Sequence, residues 1–416
     1  MTDRRNDMKL LYFAAHQMWP LTSGNRLRDY HLARELAKRA SVTFVEMCHS
    51  GEQPSSPPSD RAFDEIVSLR KGASYTPGKI LRGLAGPSPL TVLNYFDAKS
   101  ANQLATLLER NRFDTVQIEG IHLSGYLDVI KAAPKRPAIV IDWQNIESEL
   151  MWRYSKNARF WPKKMIARRT AGLLQRSEVM LLGGGETHTV VSDREQQKLL
   201  GWCPSALVNV IPNGVDTDLF SASVISEMQK NATSDMLKPS ILYVGAMDYH
   251  ANIDGVTWFA REIWPEIAVK HPELEFVIVG RRPSGAVRAL ASQRIRVTGT
   301  VDDVRPFYAS AVAVVVPLRV GAGTRLKILE AMAAGVPVVS TRLGAEGIDA
   351  TTNVHLLLAE NRAEMVAAID QIADPHVRSR LVSAAREFVT NRYDWALIGE
   401  RLYQIHVQRL RASRCV

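Results

Sequence analysis

Cysteine is scarce in this chain. Cys48, Cys203 and Cys415 are an odd, widely spaced set among 416 residues, which argues against a disulfide framework, offers no metal-ligand spacing and fits a reducing compartment. No apolar run approaches the roughly 18 to 20 residues needed to cross a bilayer, and Lys9 to Ala15 is too short and wrongly flanked for a secretory leader. The expectation is a soluble, cytoplasmic protein. No strand-like run is followed by G-x-G-x-x-G, which counts against a dinucleotide oxidoreductase, and no short internal repeat occurs. At 416 residues, two or three domains of roughly 150 residues each can build their own cores.

Acidic residues are missing from one stretch in particular. Trp152 to Arg176 holds Arg153, Lys156, Arg159, Lys163, Lys164, Arg168, Arg169 and Arg176 with no carboxylate, interleaved with Trp152, Phe160 and Trp161. Residues 1–211 contain 29 Lys+Arg against 21 Asp+Glu, a net +8, leaving 23 against 22, or +1, for the remainder. A basic helix carrying aromatics can lie on an anionic membrane surface, making 152–176 a candidate peripheral contact. The plainer reading is a solvated helix whose aromatics belong to the core. Nucleic-acid binding is not expected, because no nucleic-acid motif accompanies the charge.

Strand-like runs at Lys9 to Ala15, Val42 to Met47, Thr115 to Glu119, Ala138 to Asp142 and His188 to Ser192 alternate with helical patterns, beginning with Asn25 to Arg39 behind Ser23 and Gly24. Such alternation implies a doubly wound parallel sheet. Pro54 to Ser59 and the glycine- and proline-rich Gly72 to Pro89 read as loops, the latter as a mobile flap. Ser221 to Ser240 reads as an exposed connection before a second α/β domain that starts near Ile241.

The densest chemistry lies in Arg319 to Ile348, RVGAGTRLKILEAMAAGVPVVSTRLGAEGI. The apolar, β-branched run Ala311 to Leu318 precedes it as a strand covered on both faces, and Val336 to Thr341 reads as the next strand. Gly321 and Gly323 allow the backbone to approach a ligand. Thr324 is a good N-cap, so free N–H groups at the positive end of the following helix suit an anion. On that helix Leu326, Leu329 and Ala333 fall on a core-facing side and leave Lys327 and Glu330 together on another. Lys327 can meet a diphosphate while Glu330 accepts hydroxyl protons from a ribose. Alternatively the two form only an i,i+3 ion pair on a solvated helix.

The segment GAGTRLKILEAMAAGVPVVST resembles the donor-site segment of retaining glycosyltransferases of family 4, which have the GT-B fold. VIPNGVDTDLF (Val210 to Phe220) resembles that family's interdomain segment, and ILYVGAMD (Ile241 to Asp248) resembles the first strand and turn of its second domain. FVIVGR (Phe276 to Arg281) and VTGTVDDVRPFY (Val297 to Tyr308) follow in order. The nearest resemblance is to bacterial sugar transferases associated with exopolysaccharide production. It implies an α/β chain of two doubly wound, Rossmann-like domains facing each other across a cleft. Residues 1–218 would bind the acceptor, 219–394 would bind the nucleotide sugar, and a final helix, 395–416, would cross back onto the first domain. The implied activity is metal-independent transfer of a sugar from a nucleoside-diphosphate sugar to a glycan, lipid-linked or small-molecule acceptor, with retention and with no cofactor beyond the donor substrate. Donor binding falls to Gly24, Gly245, Gly280, Gly323, Thr324, Arg325, Lys327 and Glu330, with Lys327 also catalytic and no metal ligand.

Several positions depart from the family pattern. Ala322 stands where the first of two glutamates belongs, leaving Glu330, and Met247 and Asn252 lie where an Arg and a Lys are common. Histidines that often follow two first-domain strands give way to VQIEGIH and IDWQNIES, so Glu119 and His122, or Gln144, take the acceptor side; Gln144 cannot be a general base. Asp302 and Asp303 look like a metal-binding pair, though such a pair on a turn is usually just solvated. Two other classes of function compete with transfer: a non-catalytic GT-B subunit that binds a nucleotide sugar, and a GT-B sugar-nucleotide epimerase.

Overall fold

The computed structural model describes residues 8–21, 23–49, 62–157, 160–231, 238–321 and 325–414. It divides into two compact units, Met1–Pro212 together with Ile398–Val416, and Asn213–Leu397.

The first unit carries seven parallel strands: β1 (Lys9–Ala14), β2 (Ser41–Cys48), β3 (Glu65–Arg70), β4 (Thr115–Glu119), β5 (Ala138–Trp143), β6 (Thr187–Val190) and β7 (Leu207–Val210). Their order is β3-β2-β1-β4-β5-β6-β7. The second unit carries six: β8 (Ser240–Val244), β9 (Glu275–Val279), β10 (Ile295–Gly299), β11 (Ala311–Val316), β12 (Val338–Ser340) and β13 (Leu357–Leu358), in the order β10-β9-β8-β11-β12-β13. Both sheets are doubly wound. Strand order reverses between β1 and β4 in one and between β8 and β11 in the other, and at such switch points the carboxyl ends of strands open a crevice for ligands.

The sequence dictates these sheets because both faces of each must be covered by helices, so the central strands are apolar without interruption. Leu10, Leu11, Tyr12 and Phe13 on β1 and Ala313 to Val316 on β11 are inaccessible to solvent. Removing one such side chain costs about 2–5 kcal/mol. Beside this apolar packing the first unit buries an ion pair. Arg28, on the helix Gly24–Ala37, grips Asp142 on β5 through Nε (2.8 Å) and Nη2 (2.7 Å) and also donates to the carbonyls of Ile211 and Pro212. Thr189 of β6 donates to the same carboxylate at 2.7 Å. The pair thereby fixes the first helix over β5 and β6.

The last helix, Trp395–Arg414, leaves the second unit and packs on the first from Ile398 onwards. Gly399 lies so close to Glu35 that a Cβ there would stand 2.2 Å from the Glu35 Cβ. His406, fully buried, bonds Thr115 at 2.7 Å and Gln117 at 2.8 Å on β4. Burial pulls its pKa down to about 3, so it is a neutral strut.

Three expectations need correction. Gly72 to Pro89 is not all loop. Thr76 caps a helix, Pro77–Ala85, by accepting from the Lys79 N–H, and Pro77 begins it, where a missing N–H costs nothing. The connection Ser221 to Ser240 likewise includes a helix, Ala222–Asn231. The basic stretch Trp152 to Arg176 is divided between two helices, Glu147–Asn157 and Trp161–Leu182, and its aromatics are not in the core: Phe160 is 60% and Trp161 72% exposed. Pro54 to Ser59 lies outside the described residues.

Candidate functional site

In the second unit, the switch point between β8 and β11 gathers most of the donor-side residues named above. The chain turns after β8 at Gly245 and after β11 at Gly321, and the helix Leu326–Ala334 starts beside them. Gly245 donates its N–H to Val279 O at 2.9 Å. A Cβ on Gly280 would stand 1.6 Å from Gly245 O, so only glycine allows the β8 and β9 turns to nest. Gly321, at φ +112°, holds a backbone conformation that side chains rarely tolerate.

Lys327 occupies the centre. Its Nζ lies 4.1 Å from the centroid of the Tyr243 ring and 3.4 Å from Asn252 Oδ1, close enough to Gly245 that a Cβ there would come within 2.8 Å. Tyr243 donates its hydroxyl to the same Asn252 oxygen at 2.7 Å, and Asn252 donates to Ala246 O at 2.8 Å. Asn252 therefore supports the lysine at a position where the family often carries a cation. Among the described residues no carboxylate lies within ion-pairing distance of Lys327. Burial, and then the Arg325 guanidinium, pull its pKa down to about 7, against a weaker upward pull from Glu330. Arg325 is itself buried, with Nη2 beside Gly321. Glu330 accepts from the Tyr308 hydroxyl at 2.8 Å, and burial pushes its pKa up, against the pull of Tyr308 and Lys327. A guanidinium and a lysine whose charge is easily lost thus share a corner with one carboxyl group that is biased towards neutrality.

Two details differ from the sequence reading. Lys327 and Glu330 form no ion pair, and their helix is largely buried rather than solvated: Ile328, Leu329 and Met332 are inaccessible, while Leu326 is only half-buried. The helix also starts at Leu326 with Arg325 in the flanking position and no side-chain cap, one residue later than a Thr324 cap implies. Gly323 and Thr324, both named as donor ligands, lie outside the described residues. Asp303 is committed to Arg305 through bonds of 2.7 to 3.0 Å.

In the first unit, the switch point between β1 and β4 gathers a second cluster. Glu119 ends β4, buried, and accepts from the Ala15 N–H at 2.8 Å. His16, just past β1, has Nδ1 3.6 Å from Glu119 Oε2 and Nε2 3.3 Å from Asp29 Oδ2. Asp29, 1% exposed, accepts from Tyr12 at 3.1 Å and Gln144 at 3.0 Å. Burial and the Glu119 charge push the Asp29 pKa well above the carboxylate range. Glu147 is pushed up to about 7 by burial, Glu178 and Glu119. His122 follows β4 on a short 3-10 turn, Ile121–Tyr126, with its ring edge-on to Tyr95 at 5.1 Å. Burial lowers its pKa, and the Glu119 and His16 charges both reach it. Gly24 opens the helix that carries Asp29, behind the Ser23 cap. Sequence reasoning passed over His16 and Asp29. The available signal was a polar residue two places beyond the β1 run, where ligand-contacting side chains of such sheets cluster.

Residues 238–374, about a third of the chain, match the family model described as "Glycosyl transferases group 1". The match lies within the second unit. Lys327, Arg325, Glu330, Gly245 and Gly280 all lie in it. Among curated proteins, the chain is 29% identical over 209 residues to the phosphatidyl-myo-inositol mannosyltransferase of Mycobacterium leprae, covering 47% of this chain and 52% of that one. The chain spans between about a third and just over half the length of the curated relatives it matches. Among solved structures, sucrose-phosphate synthase from Thermosynechococcus elongatus superposes with a TM-score of 0.72 at 17% identity, covering 97% of this chain and 100% of that one. Anabaena Alr3699/HepE in complex with UDP and glucose gives 0.63 at 16%, covering 96% and 99%. These likenesses establish the shared fold, two parallel-sheet Rossmann-like units of the GT-B type.

Proposed function

We propose that this protein is a glycosyltransferase in which the group 1 domain holds a nucleoside-diphosphate sugar and the first unit holds the acceptor. The observation that carries this reading is Lys327: a largely enclosed amine with no ion-paired carboxylate among the described residues, beside the Arg325 guanidinium, at the β8/β11 switch point. Lys327 can thus meet a negative charge in its full ammonium form, and a diphosphate supplies one. As the glycosidic bond to the diphosphate breaks, Lys327 and Arg325 stabilise the charge that collects on the departing oxygen, a task that needs no metal. In this reading Glu330, about one turn deeper, accepts ribose hydroxyls. The family resemblance supports family 4 membership and retention at the anomeric carbon, and the acceptor side falls to the cluster around Glu119. The test is a thermal-shift screen of UDP-, GDP- and ADP-sugars followed by a radiolabelled transfer and hydrolysis assay. One donor class stabilises the wild type and is turned over, and Lys327→Met loses both effects. Donor stabilisation without turnover favours a non-catalytic binding subunit instead, and donor isomerisation without acceptor favours an epimerase.

The exposed aromatics support a peripheral contact with an anionic membrane. Phe160, Trp161, Met165 and Ile166 are 49 to 72% exposed beside the exposed Lys163, Arg168 and Arg169. Arg169 donates to Gly86 O at the end of Pro77–Ala85, whose Leu81 is 67% exposed and whose Arg82 is also exposed. Apolar side chains set among cations suit the boundary of an anionic bilayer. Among the described residues no helix is long and apolar enough to cross a membrane. Sedimentation with vesicles containing phosphatidylglycerol, but not with phosphatidylcholine vesicles, checks this, and Trp161→Glu with Ile166→Glu abolishes it.

A further inference from the structure

Resting on the reading of the second unit as the donor domain, we infer that Asn252 is the positioning residue that holds Lys327 for the diphosphate, and that only a neutral amide serves there. Asn252 sits in the first turn of the helix His250–Trp258 and is 8% exposed. Its two ends are fixed independently. The Ala246 carbonyl can only accept, so the Nδ2 that reaches it at 2.8 Å is the donor end, and Oδ1 is left facing Tyr243 and Lys327. Oδ1 accepts the Tyr243 hydroxyl at 2.7 Å and stands 3.4 Å from Lys327 Nζ. The Tyr243 ring faces the same nitrogen at 4.1 Å. Tyr243 thus holds the lysine twice, through its ring face and through the amide that its hydroxyl ties down. Gly245 makes room for the pair: a Cβ there would stand 2.8 Å from Nζ and 2.9 Å from Asn252 Nδ2.

An ammonium has three protons, and among the described residues Asn252 is the one side chain that accepts from Nζ. The amide occupies one direction around the nitrogen, leaves the others for phosphate oxygens and brings no charge of its own. The alternatives fail for opposite reasons. An aspartate would set an oxygen against Ala246 O and give Nζ a carboxylate with which an incoming diphosphate must compete. A lysine, common here in the family that the sequence resembles, would set cation against cation beside Arg325. With Arg325 and Lys327 supplying the positive charge, position 252 has to orient rather than attract.

The experiment is a double-mutant cycle read by isothermal titration, with whichever of UDP-, GDP- or ADP-glucose stabilises the wild type most. Asn252→Ala weakens Kd on the order of 10-fold, as for a lost hydrogen bond to a charged group. In the Lys327→Met background the same change shifts Kd by less than about 2-fold, because the amide then has no ammonium to hold. Asn252→Ser enters the same cycle as a second truncation, so that poor folding of one variant does not leave the cycle open. Because Lys327 is only partly charged in the empty site, wild-type binding takes up a proton at pH 8. Asn252→Asp gives Nζ a charged partner before the donor arrives, and that uptake falls to near zero. Equal losses in both backgrounds give Asn252 a merely structural part and overturn the inference. So does an unchanged Kd in Asn252→Ala, or an Asn252→Asp that takes up as much proton as the wild type. Binding of none of the three donors by the wild type defeats the donor-domain reading, and this inference with it; that arm involves no variant, so the two failures are distinguishable.

Discussion

Replacing Lys327 by methionine removes the ammonium but keeps the length of its stem, which makes it the cleanest probe of the diphosphate seat. In the empty site the lysine pKa falls from 10.5 to about 7. At ~1.4 kcal/mol per pH unit, keeping it charged there costs on the order of 5 kcal/mol. A diphosphate against Nζ repays much of that, so the bound lysine is fully charged and donor binding takes up a proton. At pH 8 an amine with a pKa near 7 is about one-tenth protonated, giving an uptake of about 0.9 proton per donor, and at pH 6 the uptake falls to about 0.1. Isothermal titration in two buffers of different ionisation enthalpy reads this directly, using an intact nucleotide sugar, whose diphosphate diester does not titrate in this range. Lys327→Met abolishes the uptake and, by losing a charge-assisted contact of about 2 kcal/mol, weakens Kd about 30-fold. Equal uptake in variant and wild type, or an unchanged Kd, refutes the reasoning.

The same lysine makes stability depend on pH. Its folded pKa lies below its unfolded value, so the unfolded chain binds more protons between about pH 7 and 10.5, and wild-type stability gains on that of Lys327→Met as pH rises through that window in urea titrations. Asp142→Ala leaves Arg28 charged and buried, and lowers the unfolding free energy by about 3–5 kcal/mol in the same titrations. Gly280→Ala forces the β8 and β9 turns apart. It costs several kcal/mol and removes the donor's thermal shift, whereas alanine at Gly285, where a Cβ meets nothing within 4 Å, is close to neutral.

Strands carried the sequence reading furthest, because a strand buried on both faces announces itself as an apolar run. β1, β4, β5 and β11 start where such runs start, and the glycine-rich turn after β11 marks the cationic corner. Helices built around glycine and proline were harder. Pro77–Ala85 contains Gly78 and Gly83 and reads as loop, although Thr76-Pro77 is a good helix start. The first-unit cluster was legible only in part. Glu119 and His122 belong to one short segment, but His16, Asp29 and Glu119 meet only because β1 and β4 are neighbours in the sheet and the helix Gly24–Ala37 brings Asp29 to Tyr12 of β1, and no local spacing encodes that. The surface aromatics were misplaced for a related reason: periodicity shows that Trp161 lies on a helix, not which face of that helix a neighbour covers.

A crystal structure with the stabilising nucleotide sugar tests the central claim most directly. The account predicts diphosphate oxygens within hydrogen-bonding distance of Lys327 Nζ and beside Arg325, at the carboxyl ends of β8 and β11. A donor seated elsewhere, with Lys327 still resting over Tyr243 and touching no phosphate, contradicts it.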